Sequence, residues 1–240
     1  MINRVLTLEQ AARHINIEAR ELLHMAQRGE IPSRRRGDDF YFEHNAVDDW
    51  AQRNLLELPE SRLRARYRDE VRERKLAVGE DGMIPMLFVP ERIDMAVASR
   101  TKPGAVRDMV ALAFGTGLLY DDAQFLQDVS EREEIASTAM SGGVAFLHAR
   151  YPDPYRAAES FAVLGRTTRP IHFGAPDEEP TDLFFLLCCI DDTLHLHALS
   201  RLCLLCRQPG FLDELRAAES GAEAYRVLFE SETNFLRSVL

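Results

Sequence analysis

The longest uninterrupted apolar run in this chain is Leu183 to Ile190, eight residues closed off by Asp182 and Asp191. A membrane-spanning helix needs about 20 such residues, so the run excludes an integral membrane protein and predicts a short buried strand. Shorter apolar segments, Val144-Ala-Phe-Leu147 and Phe161 to Leu164, predict further strands. Between and after them, helical periodicity marks Ala105 to Gly115, Asp121 to Val129, Thr193 to Cys206, Gly210 to Ala218 and Ala222 to Leu240. From residue 86 onward the chain therefore alternates strand and helix, the pattern of an α/β unit. Hydrophobic residues at 46% and charged residues at 28% are too apolar a mixture for a disordered chain. Met1-Ile2-Asn3-Arg4 leads into no apolar leader, and a cytoplasmic protein is expected.

Charge divides the chain in two. Residues 1–77 carry 15 basic and 14 acidic side chains, whereas residues 78–240 carry 14 and 25. An acidic body repels nucleic acid, so any DNA contact falls to the first part. The four cysteines, Cys188, Cys189, Cys203 and Cys206, all lie in apolar stretches. Cys203-Leu-Leu-Cys206 has a metal-knuckle spacing but sits in a helical pattern, which makes these residues reduced core hydrophobes. No cofactor and no metal site is expected.

In the first fifty residues, Thr7-Leu8-Glu9-Gln10 is a capping-box helix start followed by an apolar face of Leu8, Ala11, Ala12 and Ile15. A second helix from Glu18 carries Leu22, Leu23, Met25 and Ala26 and ends at Gly29, with Pro32 beyond. Ser33 to Phe42 predicts a hairpin about Gly37-Asp38-Asp39, and Asn45 is placed as the cap of a last helix bearing Val47 and Trp50. Leu6-Thr7, Ala11-Ala12, Arg28-Gly29-Glu30-Ile31-Pro32, Arg34 to Arg36 and Asp48-Asp49-Trp50 together resemble the excisionase-like or MerR-like winged helix-turn-helix module. That resemblance implies DNA as a partner. Arg20, His24, Gln27 and Arg28 would enter the major groove, and Arg34, Arg35 and Arg36 would meet phosphates from the wing. Glu18 and Glu21 stand where the family usually opens the recognition helix with Ser or Thr, so a protein-contact role for the module is the competing reading. Paired half-sites make a homodimer an open option.

Residues 53–85 read as a basic helical linker, with Leu63, Tyr67 and Val71 along one stripe and a glycine-containing joint at Val78 to Met83. The domain plan is thus a winged helix-turn-helix unit over 1–52, this linker, and an α/β unit over 86–240.

His148 is the chemistry candidate. It follows the strand Gly143-Val-Ala-Phe-Leu after a Gly-rich turn, where a partner is expected to reach it. A neutral imidazole is a competent nucleophile toward phosphorus near neutral pH. Capturing a phosphoryl group also needs nearby positive charge or hydrogen-bond donors, and Arg132, Thr138 and His195 are the available residues of those types.

The stretch Glu131 to Arg150, with Arg132-Glu133, Ser137-Thr138 and Gly142-Gly-Val-Ala-Phe-Leu-His148-Ala-Arg, resembles the fructose/mannitol/nitrogen-regulatory class of EIIA domains of the phosphoenolpyruvate:sugar phosphotransferase system. Pro170 to Pro180, Leu183 to Leu187, His195-Leu196 with Leu199 and Leu202, Glu91-Arg-Ile93 and Thr101-Lys102 follow the same family's order. The resemblance implies a mixed sheet sandwiched between helices. It also implies that His148 accepts phosphate on Nε2 from an HPr-like or NPr-like phosphocarrier. His195 (or His197, its alternative) would assist, Arg132 would meet the phosphoryl charge, and Thr138 would donate its hydroxyl; His172 and the remaining histidine would be structural. Leu147 stands where the family has proline, a residue that fixes the backbone ahead of the ring. The expected protein is a phosphotransferase-system component rather than a free-standing enzyme: a DNA-binding regulator governed by phosphate on His148. The alternatives are a phosphoryl carrier without DNA binding, or a vestigial EIIA used only as an interaction module.

Overall fold

The computed structural model describes residues 5–15, 17–57 and 82–239. Two units result, Met1–Lys75 with Leu199–Leu204, and Leu76–Ala198 with Leu205–Leu240.

In the first unit, strand β1 (Val5–Leu6) leads into helix α1 (Leu8–His14) through the expected box. The Thr7 hydroxyl accepts from the Gln10 amide at 3.3 Å, and the Gln10 side-chain carbonyl accepts from the Thr7 amide at 3.0 Å. Helix α2 (Ala19–Arg28) ends on Gly29 at φ 70°, a left-handed conformation that glycine adopts without strain. Strands β2 (Arg34–Arg36) and β3 (Asp39–Glu43) form the wing hairpin, and β1 pairs with the other edge of β3 to give the order β1-β3-β2. Helix α3 (His44–Glu57) begins where β3 stops. Asn45 therefore lies inside its first turn instead of capping it, because no loop separates strand from helix. Leu6, Ala11, Ile15, Leu22, Ile31, Phe42 and Val47 fill the core, and Trp50 Nε1 donates to the Glu30 carbonyl at 2.8 Å, fastening α3 to the end of α2. The basic helix expected between residues 53 and 85 falls outside the described residues over 58–81.

The second unit is a five-stranded mixed sheet in the order β4-β7-β8-β6-β5. Its strands are β4 (Ile93–Val97), β5 (Ala139–Met140), β6 (Val144–His148), β7 (Phe161–Ile171) and β8 (Thr181–Cys188). Strand β8 is the long apolar run. It pairs parallel to β6 and antiparallel to β7, which explains its near-continuous hydrophobicity: both of its edges and both of its faces are covered.

The short helix α4 (Ile84–Leu87) precedes the sheet. Phe184, Leu186 and Cys188 join Ala145, Leu147 and Val163 beneath helices α5 (Lys102–Phe114) and α6 (Asp122–Ile135). On the opposite face Phe185 stacks on Phe146 at 5.4 Å and meets the edge of Phe88, just after α4, at 6.1 Å. Helices α8 (Phe211–Ala217) and α9 (Gly221–Val239) complete the unit, together with the two ends of α7 (Asp192–Cys206), whose residues Leu199–Leu204 group with the first unit. The fold is the mixed sheet between helices that the sequence predicts.

The packing of this unit takes in residues ahead of 86. Met83 and Ile84 are buried, and their amides donate to the Glu232 carboxylate of α9 at 3.0 and 2.7 Å. No described helix is long and apolar enough to cross a membrane.

The turn into β6 sets the register of the functional strand. Gly142 and Gly143 have φ of 92° and 77°, and a Cβ on Gly143 would lie 2.7 Å from Arg216 Nη2. Arg216 uses that nitrogen to donate to the Gly142 carbonyl at 2.6 Å while its Nε donates to Asp182, the second residue of β8, at 2.8 Å. The two central strands are thus clipped together at their starts.

Candidate functional site

Alternation along β6 sends Ala145 and Leu147 to the face under α5 and α6 and turns Phe146 and His148 to the other side. His148 Nδ1 lies 2.8 Å from the Phe146 carbonyl oxygen. A carbonyl only accepts, so Nδ1 carries the ring proton and Nε2 keeps its lone pair. His195, in the first turn of α7, places its ring 4.8 Å from that of His148 at 57°. Asp191 caps this helix by accepting from the Leu194 amide at 2.8 Å, which fixes where the first turn points. His197 is two residues further, on the other side of the helix, so His195 is the histidine that the fold brings to His148. His172, beyond β7, is exposed.

Arg132 sits in the last turn of α6, is 4% exposed, and donates through Nη1 to the Ala136 carbonyl at 3.0 Å. Burial drives the His148 pKa well below the ordinary histidine value, and the charges of His195 and Arg132 push the same way against the opposing Phe146 hydrogen bond. The fold thus disfavours the charged form of the ring. His148, His195 and Arg132 are thus brought together.

Two expectations need correction. His148 was expected to project past its strand within reach of a partner; instead it is the last residue of β6, paired with Leu187 and 1% exposed. The cavity beside it, about 10 Å³ and lined by Phe125, Tyr151, Pro152, Arg156, Cys189 and His195 among others, has room for roughly one water. A phosphoryl group is too large for it. Thr138 was expected to offer its hydroxyl to phosphate. Its hydroxyl and amide both donate to the buried Glu133 carboxylate, at 2.6 and 3.0 Å, and Lys102 Nζ completes that cluster at 2.8 Å from Glu133. Thr138 here anchors the start of β5 to α6.

Sequence reasoning missed Arg156. It lines the His148 cavity, bonds Asp128 at 2.6 Å, and lies over the Phe125 ring at 5.1 Å, a second guanidinium within the site. It belongs to an aperiodic loop and carried no signal. Cys188 and Cys189 also reach the cavity, but burial raises the Cys188 thiol to about 12 and lifts Cys189 higher, so neither acts as a nucleophile.

All seven candidate DNA contacts are exposed. Arg20, His24, Gln27 and Arg28 recur at helical spacing on the face of α2 opposite buried Leu22 and Ala26. On the wing, Arg34 pairs with Glu43 and Arg35 Nη2 lies 3.5 Å from Asp38, while Arg28 Nε meets Glu30 at 2.7 Å.

A mixed sheet between helices, with a strand-end histidine beside a second histidine and an arginine, has the architecture of the IIA proteins. The crystal structure of IIA-Ntr from Neisseria meningitidis superposes with a TM-score of 0.55 at 24% identity, covering 61% of this chain and 99% of that one. IIA mannitol from Escherichia coli superposes at 0.52 with 17% identity, over 59% and 98%. A nitrogen regulatory protein of Bradyrhizobium diazoefficiens is 32% identical over 144 residues, 59% of this chain and 92% of its own length. The chain belongs to the phosphoenolpyruvate-dependent sugar phosphotransferase system EIIA 2 family, whose model matches residues 86–231. A helix-turn-helix domain model matches residues 5–55, so an EIIA-type domain and a helix-turn-helix domain share one chain.

Proposed function

We propose that this chain is a cytoplasmic regulator in which His148 receives a phosphoryl group from the phosphohistidine of an HPr-like carrier and the helix-turn-helix unit binds DNA in response. The observation that carries the reading is the Nδ1 hydrogen bond to Phe146, which leaves Nε2 of a neutral ring beside His195. In the transfer the Nε2 lone pair forms the new bond to phosphorus. The bond from phosphorus to the carrier's nitrogen breaks, and its electron pair returns to the carrier's ring, which leaves as a neutral imidazole. His148 keeps its Nδ1 proton, and the Phe146 carbonyl stabilises the positive charge that the phosphorylated ring then carries. Arg132 and Arg156 are the cations placed to meet the phosphoryl oxygens.

The incoming phosphoryl carries about −1.5 to −2 charges by analogy with other phosphoresidues, offset in part by the cationic ring, and the cavity has no room for it. Phosphorylation would therefore hold the Ala149 to Ser160 segment open, the local change that a regulatory surface reads out. The closed cavity also favours a second reading, in which the EIIA-type domain binds partners without accepting phosphate. Incubating the full chain with phosphorylated HPr, with His148→Ala as control, separates the two. Label on the wild type and none on the variant supports transfer; no label on either supports the interaction module; equal label on both refutes the site.

A further inference from the structure

In the first unit, away from the residues placed on DNA, three ligand-type side chains converge. His14 comes from the last turn of α1, and His44 and Asp48 lie one turn apart at the start of α3. One ligand atom from each lies within 4.8 Å of the others. His14 Nε2 is 2.5 Å from Asp48 Oδ1, His44 Nδ1 is 3.1 Å from Asp48 Oδ2, and the two imidazole rings are 4.4 Å apart. The side chains are 10%, 16% and 4% exposed respectively, so the carboxylate is sealed while the imidazoles keep a narrow path to solvent. Asp48 Oδ2 is buried, and its polar neighbour is His44 Nδ1 at 3.1 Å. Burial works to raise the Asp48 pKa, but hydrogen bonds and charge from His14 and His44 overcome it and hold the carboxyl ionised.

We propose that His14, His44 and Asp48 form a binding site for one divalent transition-metal ion of the Zn²⁺ type. Two imidazole nitrogens and one carboxylate oxygen suit Zn²⁺, Co²⁺ or Ni²⁺ and leave a fourth position for water. Metal–ligand bonds of about 2.0–2.2 Å set neighbouring ligand atoms roughly 3.3 Å apart on a tetrahedron. The three ligand atoms, all within 4.8 Å of one another, reach that spacing by shifts of about 1.5 Å or less, with the proton between His14 and Asp48 displaced. A bound ion would join the end of α1, just ahead of the turn into α2, to the start of α3, just after the wing. Its effect is to stiffen the module from which Arg20 to Arg36 project. The sequence showed no metal pattern because the ligands are spread over 34 residues with no knuckle spacing.

The test uses the full chain, reduced and stripped by chelator, with Co²⁺ as the spectroscopic probe and Zn²⁺ as competitor. The proposal expects one Co²⁺ per chain with nitrogen/oxygen-type visible bands, displaced by Zn²⁺ and unaltered in a Cys203→Ser/Cys206→Ser variant. It expects His44→Ala to weaken binding by roughly tenfold or more, and Zn²⁺ to raise the Trp50 fluorescence melting midpoint in wild type but not in that variant. His14→Gln, which leaves the His44–Asp48 contact in place, is the second variant should His44→Ala misfold. Thiolate charge-transfer bands that vanish with the cysteines, binding that survives both histidine variants, or no saturable binding overturns the proposal.

Discussion

Replacing His148 with Gln removes a ring that the folded chain refuses to protonate, and stability should report this with a defined sign. An unfolded histidine titrates near pH 6.5. In the fold, burial first, and then His195 and Arg132, hold the His148 pKa well below that value. Below about pH 6.5 the unfolded chain therefore takes up a proton that the folded chain does not, and unfolding is favoured. The contribution is absent above the unfolded pKa, grows as pH falls, and levels off only at the folded-state pKa. While the ring stays neutral its slope is about 1.4 kcal/mol per pH unit; at 1% exposure no solvent discount applies. The assay is urea denaturation of wild type and His148→Gln at a series of pH values between about 6.5 and about 5, followed by far-UV circular dichroism. The sole tryptophan, Trp50, lies in the first unit, so its fluorescence marks that transition separately. Carboxylates elsewhere cancel in the difference, and wild type should lose about 1.4 kcal/mol more than the variant per unit of acidification. Parallel pH curves would refute the reasoning, because a ring that protonates freely in the fold is not a neutral buried nucleophile.

Gly143→Ala should destabilise the second unit by about 1–3 kcal/mol, since its φ of 77° and the 2.7 Å approach to Arg216 leave no place for a methyl group; thermal melts measure this, and an unchanged melt counts against the clip between β6 and β8. Phe185→Ala removes the ring between Phe146 and Phe88 and should cost about 3–5 kcal/mol by urea titration, with a cost under about 1 kcal/mol showing that the aromatic stack is not central to the core. Changing Arg34, Arg35 and Arg36 together to Ala should weaken DNA binding and lower the slope of log affinity against log salt by about 1 for each phosphate that the wing no longer neutralises; gel shifts at several salt concentrations test it, and an unchanged slope removes the wing from the interface.

Much of this molecule was legible from short-range pattern. The Thr7–Gln10 box and Gly29 announce their helix ends because capping is a contest among a few adjacent backbone groups. The run from Leu183 to Ile190 announces β8 because only a strand covered on all sides tolerates unbroken apolarity. The pairing of His148 with His195 and Arg132 came from motif order, although the three lie on β6, α7 and α6. Other features left no local trace. That the His148 ring is sealed follows from where Tyr151, Pro152 and Arg156 settle, and their loop has neither periodicity nor caps. That Thr138 answers to Glu133 follows from α6 ending where it does. The start of α3 at His44 depended on β3 running straight into it.

Residue order alone determined a near-neutral first part and a strongly acidic second, a winged helix-turn-helix module and a mixed α/β sheet, and the candidate histidine. Tertiary structure alone decided how deep that ring lies, which of its nitrogens holds the proton, and that His14 meets His44 and Asp48. Periodicity and caps act between neighbours a few residues apart and are written in the chain. Depth, proton position and convergence depend on the solvent and charge that distant segments exclude or supply once they pack.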